Sequence, residues 1–286
     1  MSTAMKNKKI SVNTILKMKK NGEKISMLTA YDFSTAKYLD EAGVEMLLIG
    51  DSVGMTVLGY DSTINVTVDE MKLFTGAVAR GAKSALIVAD MPFMSVQTSK
   101  EQAVQNAADL IRAGADAVKI EGVSDYIVDV VSHLTNSGIP VVAHLGFTPQ
   151  YVRAFGGYFV QGKTSEKSLA MLEGAKQLQT AGAFALVLEM VPEETAKMIT
   201  ERLQIPVIGI GAGRFCDGQV LVVDDLIGKY GEFTPKFVKK YADVKEIIKN
   251  SAQQYVNDVK SGVFPAEENV FAMPSEEREK IECTLG

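Results

Sequence analysis

Short apolar runs alternate with amphipathic segments along most of the chain. Eight of these runs have the length of a β-strand, and most of them are continuous in Val, Ile, Leu and similar residues, without alternating polar positions. Continuous runs of this kind are typical of parallel strands that are buried on both faces. The candidate strands are residues 25–30, 46–50, 85–89, 117–120, 140–143, 184–188, 206–210 and 218–223.

The segments between the candidate strands have the pattern of crossover helices. Residues 67–81 begin with the acidic pair Asp69 and Glu70, carry apolar side chains at helical spacing and end on Gly81. Acidic residues favour the first turn of a helix, and glycine favours its C-terminal end. Residues 99–114 repeat this plan, so the sequence predicts strands that alternate with helices.

Eight such units without a long polar linker favour a closed barrel. We therefore predict the α/β fold class, with residues 1–286 forming a single (β/α)8 TIM-type barrel domain that has N- and C-terminal extensions. The barrel core covers about residues 25–235, and a C-terminal helical arm covers about residues 236–286, of which 237–261 have a helical pattern. An open, doubly wound sheet is the alternative fold.

Composition narrows the class of function. The net charge of −5 gives no basic surface of the kind that nucleic-acid binding requires. No apolar run approaches the roughly 18 residues that cross a membrane, and no signal-peptide pattern is present. Cys216 and Cys283 have neither disulfide nor metal-site spacing. We expect a cytoplasmic protein that binds a small molecule, without a nucleic-acid or membrane partner.

Charged side chains stand at the C-terminal ends of the candidate strands, where the catalytic groups of (β/α)8 barrels lie. Asp51, Asp90 and Glu121 come at the ends of the second, third and fourth strands, and Glu189 at the end of the sixth. Lys119 precedes Glu121 by two residues, so in strand geometry both side chains point to the same face. Burying such charges costs several kcal/mol unless a partner compensates, and their concentration therefore predicts a functional site.

Three of these acids offer only oxygen atoms to a ligand. Asp51, Asp90 and Glu121 suit a hard cation such as Mg²⁺, because zinc sites favour His and Cys. For each acid taken alone, a helix cap or an ion pair with a lysine is the alternative, and for Lys119 the alternative is a structural ion pair.

Two further strand ends each allow two interpretations. His144 follows the fifth strand and is a candidate substrate-binding residue, or else a core histidine that binds backbone carbonyls. Residues 209–213 follow the seventh strand and form either a phosphate-binding loop, as barrels often carry there, or a tight turn.

Nine motifs occur in one order between about residues 10 and 265. They are MLTAYD (27–32), GDSVG (50–54), LGYDST (58–63), ADMPF (89–93), VKIEG (118–122), HLGFTPQ (144–150), LEMVP (188–192), IGIGAG (208–213) and CDGQVLV (216–222). In this combination the chain resembles the 3-methyl-2-oxobutanoate hydroxymethyltransferases of pantothenate biosynthesis.

The resemblance implies a barrel of the phosphoenolpyruvate/pyruvate superfamily, usually assembled as a homodecamer. Its members transfer a hydroxymethyl group from 5,10-methylenetetrahydrofolate to 3-methyl-2-oxobutanoate, which gives 2-dehydropantoate. The family's metal positions fall on Asp51, Asp90 and Glu121, its keto-acid contacts on Asp51, Ser52, Asp90 and Lys119, and its proton acceptor on Glu189.

The chemistry of these residues is compatible with that reaction. A 2-oxo acid chelates Mg²⁺ through its carboxylate and ketone oxygens, and the ion stabilises the enolate formed when the C3 proton leaves. Lys119 would add positive charge near the enolate oxygen, and Ser52 would donate to the substrate carboxylate. Glu189 would act as the general base or manage protons on the folate nitrogen.

Two other functions are open at this point. Lyases and mutases of the same superfamily act on related acids and would use Lys119, Glu121 and Glu189. They usually need a cysteine-bearing loop, however, and neither Cys216 nor Cys283 lies at a suitable strand end. The second alternative is a non-catalytic metabolite-binding barrel, which the acids at every expected position argue against.

Overall fold

The computed structural model describes residues 8–231 and 234–285, and within them eight parallel strands close into a barrel in chain order. The strands are β1 (Ile25–Thr29), β2 (Met46–Ile49), β3 (Leu86–Asp90), β4 (Ala117–Glu121), β5 (Val141–Gly146), β6 (Ala185–Glu189), β7 (Val207–Ile210) and β8 (Gly218–Leu221). Because β1 pairs with both β2 and β8, the ring is complete. The predicted barrel is confirmed, and the open sheet is excluded.

Helices surround the barrel and extend from both of its ends. They are α1 (Val12–Asn21), α2 (Phe33–Glu41), α3 (Val53–Thr56), α4 (Val68–Gly81), α5 (Lys100–Ala113), α6 (Asp125–Asn136), α7 (Val152–Phe155), α8 (Ser165–Thr180), α9 (Glu193–Arg202), α10 (Val223–Leu226), α11 (Val244–Ser261) and α12 (Ser275–Leu285). Short 3-10 turns cover Thr63–Asn65, Pro149–Tyr151 and Glu267–Asn269.

Local sequence explains where two of the predicted helices begin and end. At the start of α4, the side chain of Thr67 accepts from the N–H of Glu70, while the Glu70 carboxylate accepts from the N–H of Thr67. This reciprocal pair satisfies two N–H groups that lack partners within the helix. Ser99 caps the start of α5 with a single hydrogen bond, in which its hydroxyl accepts from the N–H of Gln102, and Gly114 ends the helix with a φ of 120°. Both helices confirm their predictions.

The strands divide their side chains between two apolar layers. Met46 and Leu48 belong to a cluster inside the barrel, whereas Leu47 and Ile49 belong to a cluster between the strands and the surrounding helices. Successive side chains of a strand point to opposite faces, so each continuous apolar run fills both layers at once. This division explains why the strands are not amphipathic in sequence.

Helix α1 lies across the N-terminal end of the barrel. Ile15 is fully buried in the interior cluster. Lys19 Nζ donates to Asp217 Oδ2 at 2.7 Å and to the backbone oxygen of Thr200 at 3.0 Å. Asp217 directly precedes β8, so these contacts lie at the end of the barrel opposite the C-terminal ends of the strands. Ligands therefore have access from that other end.

Four strands extend one to three residues beyond their predicted ends, and the added positions carry ionisable side chains. These positions are Asp90, Glu121, His144 and Glu189. The backbone ladder continues past them; for example, the N–H of Gly122 donates to the oxygen of His144 at 2.9 Å. Strand geometry therefore controls the direction of all four side chains.

The C-terminal arm differs from its prediction in where the helix begins. Residues 237–261 have a helical pattern, but in α11 the first turn follows Asp243, whose side chain accepts from the N–H of Glu246. The preceding segment is held against α10 instead, because the N–H of Tyr241 donates to the oxygen of Leu226 at 2.8 Å. The polar tail contains a further helix, α12.

The division into core and arm stays a prediction. The predicted boundary near residue 235 lies beside residues 232 and 233, and the predicted arm ends at residue 286. Residues 232, 233 and 286 lie outside the described ranges. Among the helices of residues 8–231 and 234–285, none combines the length and apolar character needed to cross a membrane.

Candidate active site

A small cavity lies inside the C-terminal end of the barrel, with a volume of about 110 Å³. Because roughly 10–15 Å³ of such volume is enough to hold one water molecule, the cavity has room for several water molecules or for one small organic acid. Its polar lining consists of Thr29, Asp51, Ser52, Thr63, Asp90, Lys119, Glu121, His144 and Glu189. The structure thus brings together all seven predicted site residues, which follow or end five different strands.

The barrel register explains this convergence. Asp90 pairs with Lys119 across β3 and β4, and Glu121 pairs with His144 across β4 and β5. Both Lys119 and Glu121 line the cavity, which confirms that they share one face of β4. Below them, the inward positions are apolar, for example at Val187 of β6. The polar side chains therefore form a layer on an apolar floor.

Lys119 places its ammonium among the carboxylates. Its Nζ lies 3.0 Å from Asp90 Oδ1 and 3.7 Å from Glu121 Oε1, and all three side chains are almost completely buried. Burial by itself would lower the pKa of Lys119, but the charges of Asp90, Glu121 and Asp51 outweigh it and raise that pKa above its ordinary value. The neighbouring acids therefore favour the charged form of Lys119.

Asp51 follows β2 and approaches the same carboxylates. Its backbone N–H donates to Asp90 Oδ2 at 3.0 Å, and its own Oδ2 accepts from Gln150 Nε2 at 2.8 Å. Burial, followed by the charges of Asp90 and Glu121, raises the pKa of Asp51 well above its ordinary value. The single positive charge of Lys119 therefore does not offset the burial of Asp51 and its repulsion by the other carboxylates.

His144 lies between two acids. Its Nδ1 is 3.3 Å from both Lys119 Nζ and Glu121 Oε1, and its Nε2 is 3.4 Å from Glu189 Oε2. Since the ammonium of Lys119 can only donate, the neutral ring accepts at Nδ1 and carries its hydrogen on Nε2, facing Glu189. Burial and the charge of Lys119 would lower the pKa of His144, but its contacts with Glu121 and Glu189 raise it.

The contacts of His144 and Glu121 bear on the alternatives predicted for these two residues. His144 contacts side chains in the cavity, which argues against a core histidine bound to backbone carbonyls. Burial would raise the pKa of Glu121, yet the contact with His144 and the charge of Lys119 outweigh burial, and the pKa is lowered. Glu121 is therefore the carboxylate best stabilised as an anion.

Ser52 also lines the cavity. Its hydroxyl lies 2.7 Å from the hydroxyl of the buried Tyr31, and it stands at the start of the short helix α3. The preceding Gly50 gives Ser52 its space, because a Cβ at Gly50 would lie 2.7 Å from Ser52 Oγ. Tyr31 thus orients a hydroxyl group beside Asp51 and Asp90.

The donor set fits a hard cation in two respects. All candidate ligand atoms of Asp51, Asp90 and Glu121 are carboxylate oxygens, and among the described residues the buried Asp90 Oδ1 and Glu121 Oε1 have no polar partner except the Lys119 ammonium and, for Glu121, His144 Nδ1. Across residues 8–231 and 234–285, however, no three Asp, Glu, His or Cys side chains are arranged closely enough to enclose a metal ion. In this conformation Lys119 Nζ lies between two of the proposed ligands.

Sequence reasoning gave no role to Gln150, Thr29 and Tyr31. Gln150 is 4% exposed and hydrogen bonds Asp51, Thr29 lines the cavity, and Tyr31 contacts Ser52. All three lie inside the motifs that carry the family resemblance, but an uncharged side chain in a motif does not by itself indicate a role in the site. Their partners are distant in sequence, so no local pattern could have assigned them.

The glycines of residues 209–213 have a packing explanation. A Cβ at Gly211 would lie 2.9 Å from the ring of Phe237, and one at Gly213 would lie 2.6 Å from Glu193. Both glycines have positive φ, 60° and 79°. These contacts favour the tight turn over the phosphate-binding loop, because the space beside the glycines holds protein side chains.

Comparison with known proteins agrees with the motifs. The family model described as ketopantoate hydroxymethyltransferase matches residues 9–267. Over 272 residues the chain is 55% identical to the 3-methyl-2-oxobutanoate hydroxymethyltransferase of Syntrophus aciditrophicus, a match that covers 95% of this chain and 100% of that one. The chain belongs to the ketopantoate hydroxymethyltransferase family. A protein of the same name from Caldicellulosiruptor saccharolyticus is 51% identical over 263 residues, covering 92% and 99% of the two chains.

Solved structures extend the relationship in fold. The 2,3-dimethylmalate lyase described as a PEP mutase/isocitrate lyase superfamily member has a TM-score of 0.58 at 13% identity, with 96% of this chain and 99% of that chain covered. This likeness concerns the barrel alone. Cys216 is buried in the β7–β8 connection and does not line the cavity, and Cys283 is exposed on α12. The site of this ketopantoate hydroxymethyltransferase family member is therefore built without cysteine.

The pKa of Asp51 leads to a prediction about stability. A carboxyl group ionises near pH 3.9 in an unfolded chain, but folding raises the pKa of Asp51, so the folded chain retains the proton to higher pH. The free energy of unfolding should therefore fall as the pH rises from about 4 through the folded-state pKa. In excess chelator, we expect this decline to be shallower for Asp51→Asn than for wild type, as measured by urea unfolding at a series of pH values.

The exposed Asp61 provides the matched control for that measurement. Asp61→Asn should retain the pH dependence of wild type, because its carboxyl group is not buried among other acids. Parallel stability curves for wild type and Asp51→Asn would contradict the assignment of an electrostatically strained Asp51.

Proposed function

We propose that this chain is a 3-methyl-2-oxobutanoate hydroxymethyltransferase of pantothenate biosynthesis. The observation that carries the proposal is the convergence of three carboxylates, Lys119, His144 and Glu189 in one cavity of acid-sized volume. Membership of the ketopantoate hydroxymethyltransferase family supports the same conclusion. The reaction consumes 5,10-methylenetetrahydrofolate, 3-methyl-2-oxobutanoate and water, and produces tetrahydrofolate and 2-dehydropantoate.

The proposed cofactor is Mg²⁺, held by Asp51, Asp90 and Glu121. Full ionisation of the three carboxylates beside the single charge of Lys119 would give a net charge of −2, which a divalent cation would balance. When bound, the ion supplies Lewis-acid polarisation of the 2-oxo acid. The oxygens of Asp90 and Glu121 that face Lys119 support their role as ligands, because a cation already lies beside them and movement of the lysine side chain would open that space to the ion.

The proposed contacts to the keto acid come from Ser52, Lys119 and His144, together with Asp51 and Asp90. Ser52 donates to the substrate carboxylate, since Tyr31 can supply a hydrogen to Ser52 Oγ in return. Lys119 provides positive charge where the carbonyl oxygen becomes an enolate oxygen. Leu48, Val187 and the neighbouring apolar lining offer a dry surface for the two methyl groups of the substrate.

Glu189 is the proposed proton acceptor. Its side chain is 17% exposed, whereas that of the adjacent His144 is 2% exposed, so Glu189 lies at the mouth of the cavity. The C3–H bond breaks, the proton moves to a Glu189 oxygen, and the bonding electrons form the enolate. His144 Nε2 lies 3.4 Å from Glu189 Oε2, so a protonated ring would stabilise the carboxylate by charge before the carboxylate takes the proton.

The methylene carrier must approach from the mouth, because the cavity is far too small for a folate. Water adds to the methylene carbon and both of its C–N bonds break, which releases tetrahydrofolate and a one-carbon unit at the oxidation level of formaldehyde. Carbon C3 of the enolate then adds to that carbon, and the oxygen that came from water takes up a proton and becomes the hydroxyl group. The same geometry leaves a second task for Glu189, the return of a proton to the folate nitrogen. Only the first of these roles is needed for exchange of the C3 proton in the absence of folate.

An activity assay tests the proposed function. With 3-methyl-2-oxobutanoate and 5,10-methylenetetrahydrofolate, we expect formation of 2-dehydropantoate that excess chelator abolishes and added Mg²⁺ restores, because all-oxygen sites bind such ions reversibly. Full activity in chelator would overturn the metal assignment. No turnover with these substrates, but cleavage of other 2-oxo acids, would favour a lyase of the same fold, and binding without turnover would favour a metabolite-binding protein.

Replacing Glu189 by Gln separates the two proton-transfer roles. The variant should bind the keto acid normally but lose roughly a hundredfold or more in turnover, because the amide cannot accept the C3 proton. Exchange of the C3 proton with deuterated water, followed by NMR with Mg²⁺ and without folate, should occur in wild type and fail in the variant. Normal exchange with slow overall transfer would assign Glu189 to the folate step, and normal rates of both would leave it a structural residue.

We also propose a cytoplasmic homo-oligomer, a decamer by family resemblance. The described side chains of α11 support association, because none is buried and Ile247, Tyr255 and Val259 are about half exposed. We expect light scattering at micromolar concentration to give a mass that is a multiple of the 30.9 kDa chain, ten for the decamer. A stable monomer would contradict this expectation. The free thiols of Cys216 and Cys283 fit a reducing compartment.

A further inference from the structure

Gln150 makes hydrogen bonds that connect three strand ends. It lies in the 3-10 turn Pro149–Tyr151 after β5 and is 4% exposed. Its Nε2 donates to Asp51 Oδ2 at 2.8 Å and to the backbone oxygen of Met91 at 3.0 Å. Asp51 follows β2 and Met91 follows β3, so one amide group ties the ends of two strands to the β5–β6 connection.

The orientation of this amide is determined by its partners. Both Asp51 Oδ2 and the oxygen of Met91 are acceptors, so the group that faces them must be the NH₂ with its two hydrogens. Rotating the amide by 180° would place its oxygen against two other oxygens. Gln150 therefore presents one uncharged donor to the buried carboxylate of Asp51 and a second to the backbone oxygen of Met91.

The backbone of Gln150 holds a second carboxylate. Its N–H donates to Glu121 Oε2 at 3.0 Å, and it is free to do so because the first N–H groups of a helical turn have no acceptor within the turn. A third carboxylate is held independently, since Asp90 Oδ2 accepts from the N–H of Asp51. Each of the three acids thus has one oxygen bound by a protein donor.

The remaining oxygens define what these hydrogen bonds achieve. The second oxygens of Asp90 and Glu121, Oδ1 and Oε1, receive no hydrogen bond from the backbone or from a neutral donor among the described residues, and both face the ammonium of Lys119. Holding one oxygen of a carboxylate stops its rotation and directs the other oxygen toward the centre of the group. An uncharged donor does this without competing for the site, whereas a lysine in its place would add a rival cation.

We propose that Gln150 is a positioning residue that orients Asp51 directly, and Glu121 through its backbone, for binding a divalent cation. This inference rests on the proposed metal assignment to Asp51, Asp90 and Glu121. It assigns a role to a neutral residue that contacts neither the reacting atoms nor the cation. Its side chain acts through Asp51, so a side-chain substitution should alter cation affinity far more than the chemical step.

Direct cation binding tests the proposal without relying on turnover. Mn²⁺ serves as the probe, because the free ion gives an electron paramagnetic resonance signal that is lost on binding. Gln150→Met has nearly the same size but no donor, and its backbone N–H is retained. We expect its Kd for Mn²⁺ to rise by roughly 10- to 100-fold, the usual effect of removing a partner of a metal ligand. The Mg²⁺ concentration for half-maximal activity should rise by a similar factor, with a smaller change in kcat at saturating Mg²⁺.

Two further variants complete the experiment. Gln105→Met replaces an exposed glutamine of α5 and should bind Mn²⁺ as wild type does. Gln150→Asn keeps the amide on a shorter side chain and should have an intermediate Kd; it carries the same comparison if Gln150→Met does not fold. Thermal melting in excess chelator identifies folded variants, and the increase in Tm on adding Mn²⁺ should be smaller for both Gln150 variants than for wild type.

The possible outcomes separate this inference from the proposed function. Binding of Mn²⁺ by wild type and its loss in Asp90→Ala support the metal assignment. If these results hold and a folded Gln150 variant retains a Kd within about twofold of wild type, the role of Gln150 is overturned while the metal site stands. If wild type binds no Mn²⁺, both the metal assignment and the role of Gln150 are overturned.

Discussion

Lys119 holds a positive charge inside the barrel, 3.0 Å from Asp90 and 3.7 Å from Glu121, and the other features of the site follow from that charge. Removing such groups from water costs several kcal/mol each, and attraction offsets that cost only when the geometry is good and the remaining polar atoms have partners. One lysine does not meet this condition for three acids, as the raised pKa of Asp51 indicates. The carboxylates therefore have too little positive charge nearby, and a cationic ligand can supply the rest.

The closed parallel barrel makes this concentration of charge possible. Every strand runs in the same direction, so all C-terminal ends meet at one rim, while α1 with Ile15 covers the opposite end. Inward side chains below the rim are apolar, which places the charged layer between a dry floor and an open mouth. Such an environment strengthens electrostatic interactions with a small ligand, because little water remains to screen them.

Fold and site contribute different information about this protein. The structural likeness to 2,3-dimethylmalate lyase, at 13% identity, establishes a shared barrel that supports many chemistries. The family is established by sequence similarity over most of the chain. Within the site, uncharged residues orient the groups that face the ligand: Tyr31 orients the Ser52 hydroxyl, and Gln150 orients the Asp51 carboxylate. Charge alone would draw the acids and the lysine together without presenting particular oxygens to a ligand.

The sequence by itself determined the number and order of the strands, the helices that Thr67 and Ser99 cap, and the shared face of Lys119 and Glu121. These features follow from spacing of two or of about 3.6 residues, which is a local property of the chain. It did not determine the start of α11, because Tyr241 hydrogen bonds α10 and holds the preceding segment out of the helix. Nor could it place Gln150 beside Asp51. The two residues are separated by 99 positions, and only closure of the barrel brings the β5–β6 connection over the end of β2, because that contact depends on the register of every intervening strand.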